Sequence, residues 1–371
     1  MKYDKIFPCS LFLFVIAFTI LSFVNGPASG IDEITNRERS LSLNNNYSFS
    51  NIKKVFENHS DNKIWYKEKL YAFLSNFELD YFKRSIKPDK IIKGKGDWFY
   101  LGNDFSEVIE ETNGVRQLEE SDIEKIKSNI GKLREIFKKE DIEFVVVVAP
   151  NKHTVYPENL PFDIDKSVST KLDQLSNADI PGLIDLRKNL LENKNNARLF
   201  HKTNSHWNGF GGFYGYEQIV NYLNSNYDMQ LDILSKNQVA YDTIYTQKED
   251  LTKMIKVEFE EEKISSRVIE SELYKLADVI YNEDYPNHKI RKFQAVFENE
   301  NCSASCLNNV ILIRDSFGAE FVNHLLYNTK RLNTLQSRHI DYKYIINNKP
   351  DLVIFEIVER RVEKLISYLN I

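Results

Sequence analysis

Cysteine is scarce in this chain: there are three among 371 residues, and Cys9 lies inside an apolar run. Cys302 and Cys306 stand close together, but no second pair of ligands lies at zinc-like spacing from them, which argues against a metal site. Basic blocks are also missing. The chain has 49 Lys and Arg against 54 Asp and Glu, a formal charge of −5 with no dominant Lys/Arg cluster, so nucleic acid is not an expected partner. There is no internal repeat. What is abundant is apolar and aromatic residues, 42% and 13%, which describe an ordered globular protein. The length allows either one large α/β domain or two smaller ones.

The N-terminus carries the one long apolar run. Lys2 and Lys5 precede Ile6 to Val24, whose only polar members are Cys9, Ser10, Thr19 and Ser22. A bilayer-crossing helix needs ~20 residues, and a signal-peptide core only ~7–15. The run therefore reads as an uncleaved membrane anchor, with a cleaved signal ending near Ala28, Ser29 and Gly30 as the alternative. Positive charge before the span predicts a cytoplasmic N-terminus and an extracytoplasmic body. In that compartment Cys302 and Cys306 can close a small disulfide loop; two free thiols in a polar loop is the other reading.

The rest of the chain divides by pattern. Residues 1–30 form the anchor or signal, and residues 31–92 form a tether that turns into a helical preface. In the preface Ile52, Val55, Phe56, Ile64, Leu70, Phe73, Leu74 and Phe77 recur at roughly helical spacing. A main domain is predicted over 93–371, opening on the glycine-rich turn and aromatic strand of Lys93 to Leu101. Ser121 with Glu124 predicts a capping box for a helix reaching Glu140, striped by Ile123, Ile126, Ile130, Leu133 and Phe137. The continuous apolar run Phe144 to Ala149 follows. Similar runs recur at 182–186, 309–313 and 351–355, the pattern of a parallel sheet covered on both faces by helices. Residues 229–300, with the acidic cluster Glu258, Glu260, Glu261 and Glu262, hold no clean apolar strand. They are expected to be an insertion or surface helices.

Two short stretches carry the chemistry: Asn204-Ser205-His206-Trp207-Asn208 and Arg314-Asp315-Ser316-Phe317-Gly318. Ser316 follows an apolar strand and precedes a segment that reads as a helix, which places it at the ligand-binding edge of an α/β sheet. A serine there and a histidine from a distant loop are the minimum for acyl transfer. Taken alone, Ser316 is more simply a helix cap. His206 shifts that balance, because His-Trp-Asn ahead of a Gly-rich aromatic helix is not an ordinary core setting.

Residues 93–371 resemble the AlgX/AlgJ group of polysaccharide O-acetyltransferases, with a DHHW-type, SGNH hydrolase-like catalytic domain. Five blocks in order carry the resemblance: Gly94 to Gly102, Pro150 to Pro157, Lys202 to Asn208, Arg314 to Gly318, and Pro350 to Arg360. Glu33, Asn36 and Arg37 are similar to the membrane-tethered AlgJ-like branch. The resemblance implies a flavodoxin-like, circularly permuted parallel sheet, with Ser316 as nucleophile, His206 as its base and Asn204 in the position of the triad aspartate. It also implies a polysaccharide substrate, a membrane-bound acyltransferase as acetyl donor, and no cofactor.

An asparagine in the aspartate position leaves three readings open. They are a slow enzyme, an enzyme that uses another carboxylate such as Asp185 or Asp315, and a catalytically impaired glycan-binding component of an export complex. If water replaces the sugar hydroxyl, the same site is an acetyl esterase. Lys152, Tyr156, Trp207 and Arg314 are candidate substrate contacts, with core packing the alternative for Trp207 and Trp98. Asp315 is expected to brace its turn through backbone amides.

Overall fold

The computed structural model describes residues 30–32, 37–39, 67–83, 85, 87–269, 274–280, 294–300, 302, 305–336 and 339–370. The chain separates into two compact units, one comprising residues up to 86 with 253–258 and the other 87–252 with 259–371. In the first unit, β1 (Gly30–Asp32) pairs antiparallel with β2 (Arg37–Arg39), and α1 (Lys67–Phe82) is the described part of the expected preface. The apolar run Ile6 to Val24 lies outside the described residues, and no helix among those described is long and apolar enough to cross a membrane.

The second unit is built on a seven-stranded sheet in the order β6-β5-β13-β11-β12-β10-β9. Its ranges are β5 (Glu143–Ala149), β6 (Leu183–Asp185), β9 (Tyr274–Ile280), β10 (Gln294–Asn299), β11 (Leu307–Arg314), β12 (Thr329–Gln336) and β13 (Leu352–Val358). The strands from β6 to β12 run parallel to their neighbours, and β10 and β9 add an antiparallel edge. Alternation along each apolar strand sends side chains into two separate cores. Val145, Val147, Val310, Leu312 and Ile354 face one, whereas Phe144, Val146, Val148, Ile311, Ile313 and Phe355 face the other. Helix α2 (Glu120–Lys138) covers the second face with Ile123, Ile126, Ile130, Leu133 and Phe137, the predicted stripe. Helix α3 (Gly209–Tyr227) covers the first. Burial on both faces is why these strands read as unbroken apolar runs.

Three local expectations are corrected. The Ser121–Glu124 capping box does not form: α2 begins at Glu120, with Glu119 as N-cap and no side-chain cap bond. Acidic Glu120 and Asp122 occupy the first turn, where they face the positive end of the helix dipole. The segment 229–300 is not a set of surface helices. It contributes β9 and β10 to the central sheet and an antiparallel hairpin of β7 (Val239–Thr246) and β8 (Glu261–Val268). Its strands escape a search for apolar runs because β10 buries Gln294 and Asn299 beside Ala295 and Val296. Finally, the segment after Ser316 is mainly 3-10 helix, Phe317–Phe321, passing into a single α-turn at Val322–Leu325. Cys302 and Cys306 are joined as a disulfide.

Candidate active site

Strand β11 ends at Arg314, so Asp315 and Ser316 emerge at the carboxyl edge of the parallel sheet. The turn that follows is braced from beneath. Asp315 accepts from the Phe317 amide at 2.8 Å and from the Val358 amide at 3.1 Å. Buried Glu356 on β13 accepts from the Asp315 and Gly318 amides, both at 3.0 Å. Gly318 is required by space: a Cβ there would lie 2.7 Å from Arg314 Cβ and 2.8 Å from a Glu356 carboxylate oxygen. Burial, with the Asp315 charge adding to it, pushes the Glu356 carboxyl well above the usual carboxylate range. Ser316 itself remains exposed at the crest of the turn.

The histidine arrives on the loop before α3. Asn208 caps that helix by accepting from the Phe210 and Gly211 amides, and a bridge between Phe200 and Trp207 closes the loop's base. The helix approaches the Ser316 turn closely because Gly212 has no side chain: a Cβ there would meet Glu320 Cβ at 2.7 Å. Fully buried Trp207 then donates from its indole to the Phe317 carbonyl at 3.0 Å, tying the two motifs together. His206 Nε2 consequently lies 2.8 Å from Ser316 Oγ.

Behind the ring, His206 Nδ1 is 2.8 Å from Asn204 Oδ1, and the same oxygen accepts from the His206 amide at 3.0 Å. Asn204 Nδ2 donates to Glu249 at 2.6 Å. This fixes the amide orientation: the nitrogen must face the carboxylate, so the oxygen faces the imidazole and accepts from Nδ1–H. The lone pair of Nε2 is thereby turned toward Ser316. Asp250 stands beside this chain of bonds, accepting from the Ser205 amide at 2.8 Å and from the Ser205 hydroxyl, with its carboxylate 3.8 Å from His206 Nδ1. Burial lowers the His206 pKa below 6.5, with Asp250 opposing and Arg360 assisting. Neutral imidazole is the form a base needs.

Glu249 and Asp250 thus stand behind the histidine, on Asn204 and on Ser205, and neither is among the carboxylates that the sequence pattern singles out. Asp185 is held by Arg187, at 2.6–3.0 Å through several bonds, and by Ser176. Asp315 is committed to the two amides of its own turn. Glu249 and Asp250 come from the segment taken for an insertion, which also supplies Glu261 from β8. Glu261 accepts from the Lys202 and Thr203 amides and the Thr203 hydroxyl, holding the histidine loop. Nothing in the local sequence separates Glu249 and Asp250 from the other acidic residues around them. Only their placement does.

The four candidate substrate contacts are placed as follows. Lys152 is buried and its ammonium donates to three carbonyls, Phe99 at 2.6 Å, Lys202 at 2.7 Å and Asn204 at 3.2 Å, so none of its three protons is left for a substrate. It staples the aromatic strand β4 (Phe99–Leu101) to the histidine loop. Tyr156 is buried against Trp98, at 4.6 Å between ring centroids, and accepts from the Leu199 amide at 2.9 Å. Trp207 lies in the core. Arg314 runs along Gly318 and donates to the Asp315 carbonyl at 3.0 Å, while its Nε is buried with no partner among the described residues. His201 is buried and kept neutral, its pKa pulled down to about 3 by desolvation. Replacing Lys152 by methionine would remove its hydrogen bonds to three carbonyls, and is expected to cost about 3 kcal/mol in urea unfolding. An unchanged unfolding midpoint would refute the stapling role.

The described residues contain no group of three or more His, Cys, Asp or Glu able to hold a metal ion. The arrangement can pass a proton from a hydroxyl to imidazole while the ring is held in one tautomer, which suits acyl transfer through a serine ester.

No curated protein matches the chain in sequence. Among solved structures, the chain is similar to Bacillus cereus PatB1 at 18% identity, covering 76% of this chain and 99% of that one with a TM-score of 0.55. The O-acetyltransferase domain of Pseudomonas putida AlgJ matches at 12% identity over 76% of this chain and 98% of that one, with a TM-score of 0.45. Pseudomonas aeruginosa AlgX matches at 13% identity over 75% and 67%, with a TM-score of 0.45. At such identities the PatB1 likeness speaks for the fold. The family model for the SGNH hydrolase-like domain of the acetyltransferase AlgX matches residues 91–281, more than half of the sequence, and the chain belongs to this family.

Proposed function

We propose that this protein is an O-acetyltransferase that acetylates an exported or cell-surface polysaccharide through an acetyl-Ser316 intermediate. The observation that carries the reading is the 2.8 Å approach of His206 Nε2 to Ser316 Oγ, with Asn204 Oδ1 holding Nδ1 at 2.8 Å. Ser316 Oγ attacks the acetyl carbonyl as His206 takes its proton. His206 returns the proton to the departing group of the donor. A sugar hydroxyl then gives its proton to His206 and attacks the serine ester; the Oγ–acetyl bond breaks, Ser316 Oγ takes the proton back from His206, and the acetylated sugar leaves.

A membrane-bound acyltransferase is the acetyl donor in this reading, and residues 93–371 form the catalytic domain. An anchor in the first 30 residues would hold that domain outside the cytoplasm. The Cys302–Cys306 disulfide favours an oxidising compartment. The serine strand β11 follows the histidine loop in the chain, which is consistent with a circular permutation. An acetyl esterase is the second reading, favoured by the solvent exposure of Ser316.

The test uses the detergent-solubilised full-length chain with p-nitrophenyl acetate and an added soluble polysaccharide. Acetyl groups appearing on the glycan, with release of nitrophenol, support transfer; release with only acetate formed supports the esterase. Neither product above a heat-denatured control would sink both. A pH profile adds a signed expectation. His206 must be neutral to act, so the rate should fall as pH drops through its lowered pKa, placing the acidic limb below pH 6.5. A limb centred above 6.5 would contradict His206 as the base.

A further inference from the structure

An acyl-serine mechanism must meet the negative charge that develops on the carbonyl oxygen, and the Ser316 turn has already used most of its amides. Asp315 N–H and Gly318 N–H both go to Glu356, and Phe317 N–H goes to Asp315. Of the four N–H groups of Asp315 to Gly318, only that of Ser316 engages no acceptor among the described residues. One neutral amide is a poor oxyanion site, since such sites combine two or more donors aimed at the developing charge. A second donor has to come from a neighbouring element.

Strand β13 lies beside β11 in parallel, with Phe355 opposite Ile313, so the residues just after Val358 emerge at the same sheet edge as Ser316. Arg360 is the second of them. Its guanidinium carbon lies 5.4 Å from the centre of the Phe317 ring, the ring that packs 4.8 Å from His206. Nη1 is anchored to Asn151 Oδ1 at 3.1 Å, and the rest of the fork has no partner among the described residues. Asn151 is itself fixed, its amide donating to Glu359 at 2.7 Å. Burial lowers the Arg360 pKa to about 10 against the pull of Asp315, Asp250 and Glu356, so it stays cationic at neutral pH. The other cation near the nucleophile, Arg314, bonds the Asp315 carbonyl through Nη1, and its stem lies along Gly318 beneath the turn, with Nε buried.

We propose that Arg360 is a further catalytic residue, donating through its unengaged N–H groups to the oxyanion formed when Ser316 is acylated. The inference rests on the acyl-serine reading above. As the Oγ–C bond forms, the Ser316 proton passes to His206 Nε2 and the carbonyl π pair moves onto oxygen. There the Arg360 fork and the Ser316 N–H meet it. Collapse restores C=O and breaks the bond to the donor's leaving oxygen, which takes the proton from His206.

The full-length chain and its Arg360→Gln and Arg360→Lys variants, each checked for an unchanged thermal midpoint, would be assayed with p-nitrophenyl acetate. Ser316 labelling by a fluorophosphonate would be followed in parallel by intact mass. Arg360→Gln should lower kcat by about 100-fold or more with KM within threefold, and Arg360→Lys should retain more of the rate. The acidic limb of the Arg360→Gln pH profile should move up. His206 then faces Asp250, Asp315 and Glu249 without the opposing cation. A rise in KM with kcat unchanged, or equal kcat in all three proteins, overturns the proposal. If the parent fails to turn over the ester, the acetyl-transfer reading fails, and the labelling rate still decides the role of Arg360. The phosphonyl oxygen makes the same demand, so labelling at equal rates in parent and Arg360→Gln, or no labelling of the parent, refutes it.

Discussion

Replacing Ser316 by alanine should bring acetyl-ester turnover to the uncatalysed background, a loss of roughly 10⁴-fold or more. The size follows from the geometry. Ser316 Oγ is exposed and is the hydroxyl that faces His206 Nε2, at 2.8 Å. The neighbouring Ser205 cannot take its place: its hydroxyl sits 3.3 Å from Nδ1, on the opposite side of the ring, and donates to Asp250. The variant should fold normally, because the turn is held by Asp315 and Glu356 and not by the serine hydroxyl. Initial rates of nitrophenol release, with a thermal melt as control, provide the measurement. Retention of activity within tenfold of the parent would remove Ser316 from the mechanism.

Asn204 should be nearly as sensitive, and in an informative way. In serine proteases an asparagine in place of the triad aspartate costs ~10⁴ in turnover, because it leaves the wrong histidine tautomer. Here the tautomer is protected by a second carboxylate: Glu249 accepts from Asn204 Nδ2 at 2.6 Å and so keeps Oδ1 on the imidazole. Asn204→Leu removes the acceptor and should lower kcat by roughly 10³-fold.

Asn204→Asp is not the simple repair it looks like in the sequence. It would set two carboxylates at the distance of a hydrogen bond, with Asp250 nearby, and such a pair retains a proton at neutral pH. The single variant should therefore be no faster than the parent. Asn204→Asp with Glu249→Gln should exceed both, since the glutamine can donate to a lone aspartate. Rate constants for the parent, two single variants and the double variant decide this. A faster Asn204→Asp single variant would mean that Glu249 does not orient the amide.

Much of this architecture was legible in the chain because of burial. The strands β5, β11 and β13 are covered on both faces, so they had to be continuous apolar runs, and α2 had to carry an apolar stripe at helical spacing. The antiparallel edge was illegible for the converse reason. β10 alternates with polar residues such as Gln294 and Asn299, buried through hydrogen bonds that a hydropathy pattern does not register. Lys152 misled in the same way. A lysine on a loop after a central strand suggests a substrate contact, but this one is buried because three carbonyls converge on it.

The sequence by itself determined the residue types of the candidate site and the family: a serine at the end of an apolar strand, and a histidine with Asn204 two residues before it. Those are properties of residue type and local order. Tertiary structure decided whether Asn204 can work and what surrounds the reaction. It brought Glu249 and Asp250 from a polar hairpin region to the histidine, spent the turn's amides on Glu356, and set Arg360 on the Phe317 ring. Electrostatic partners act across space at distances of a few ångströms, and positions 38 to 45 residues apart in the chain acquire those distances only when the sheet orders its strands.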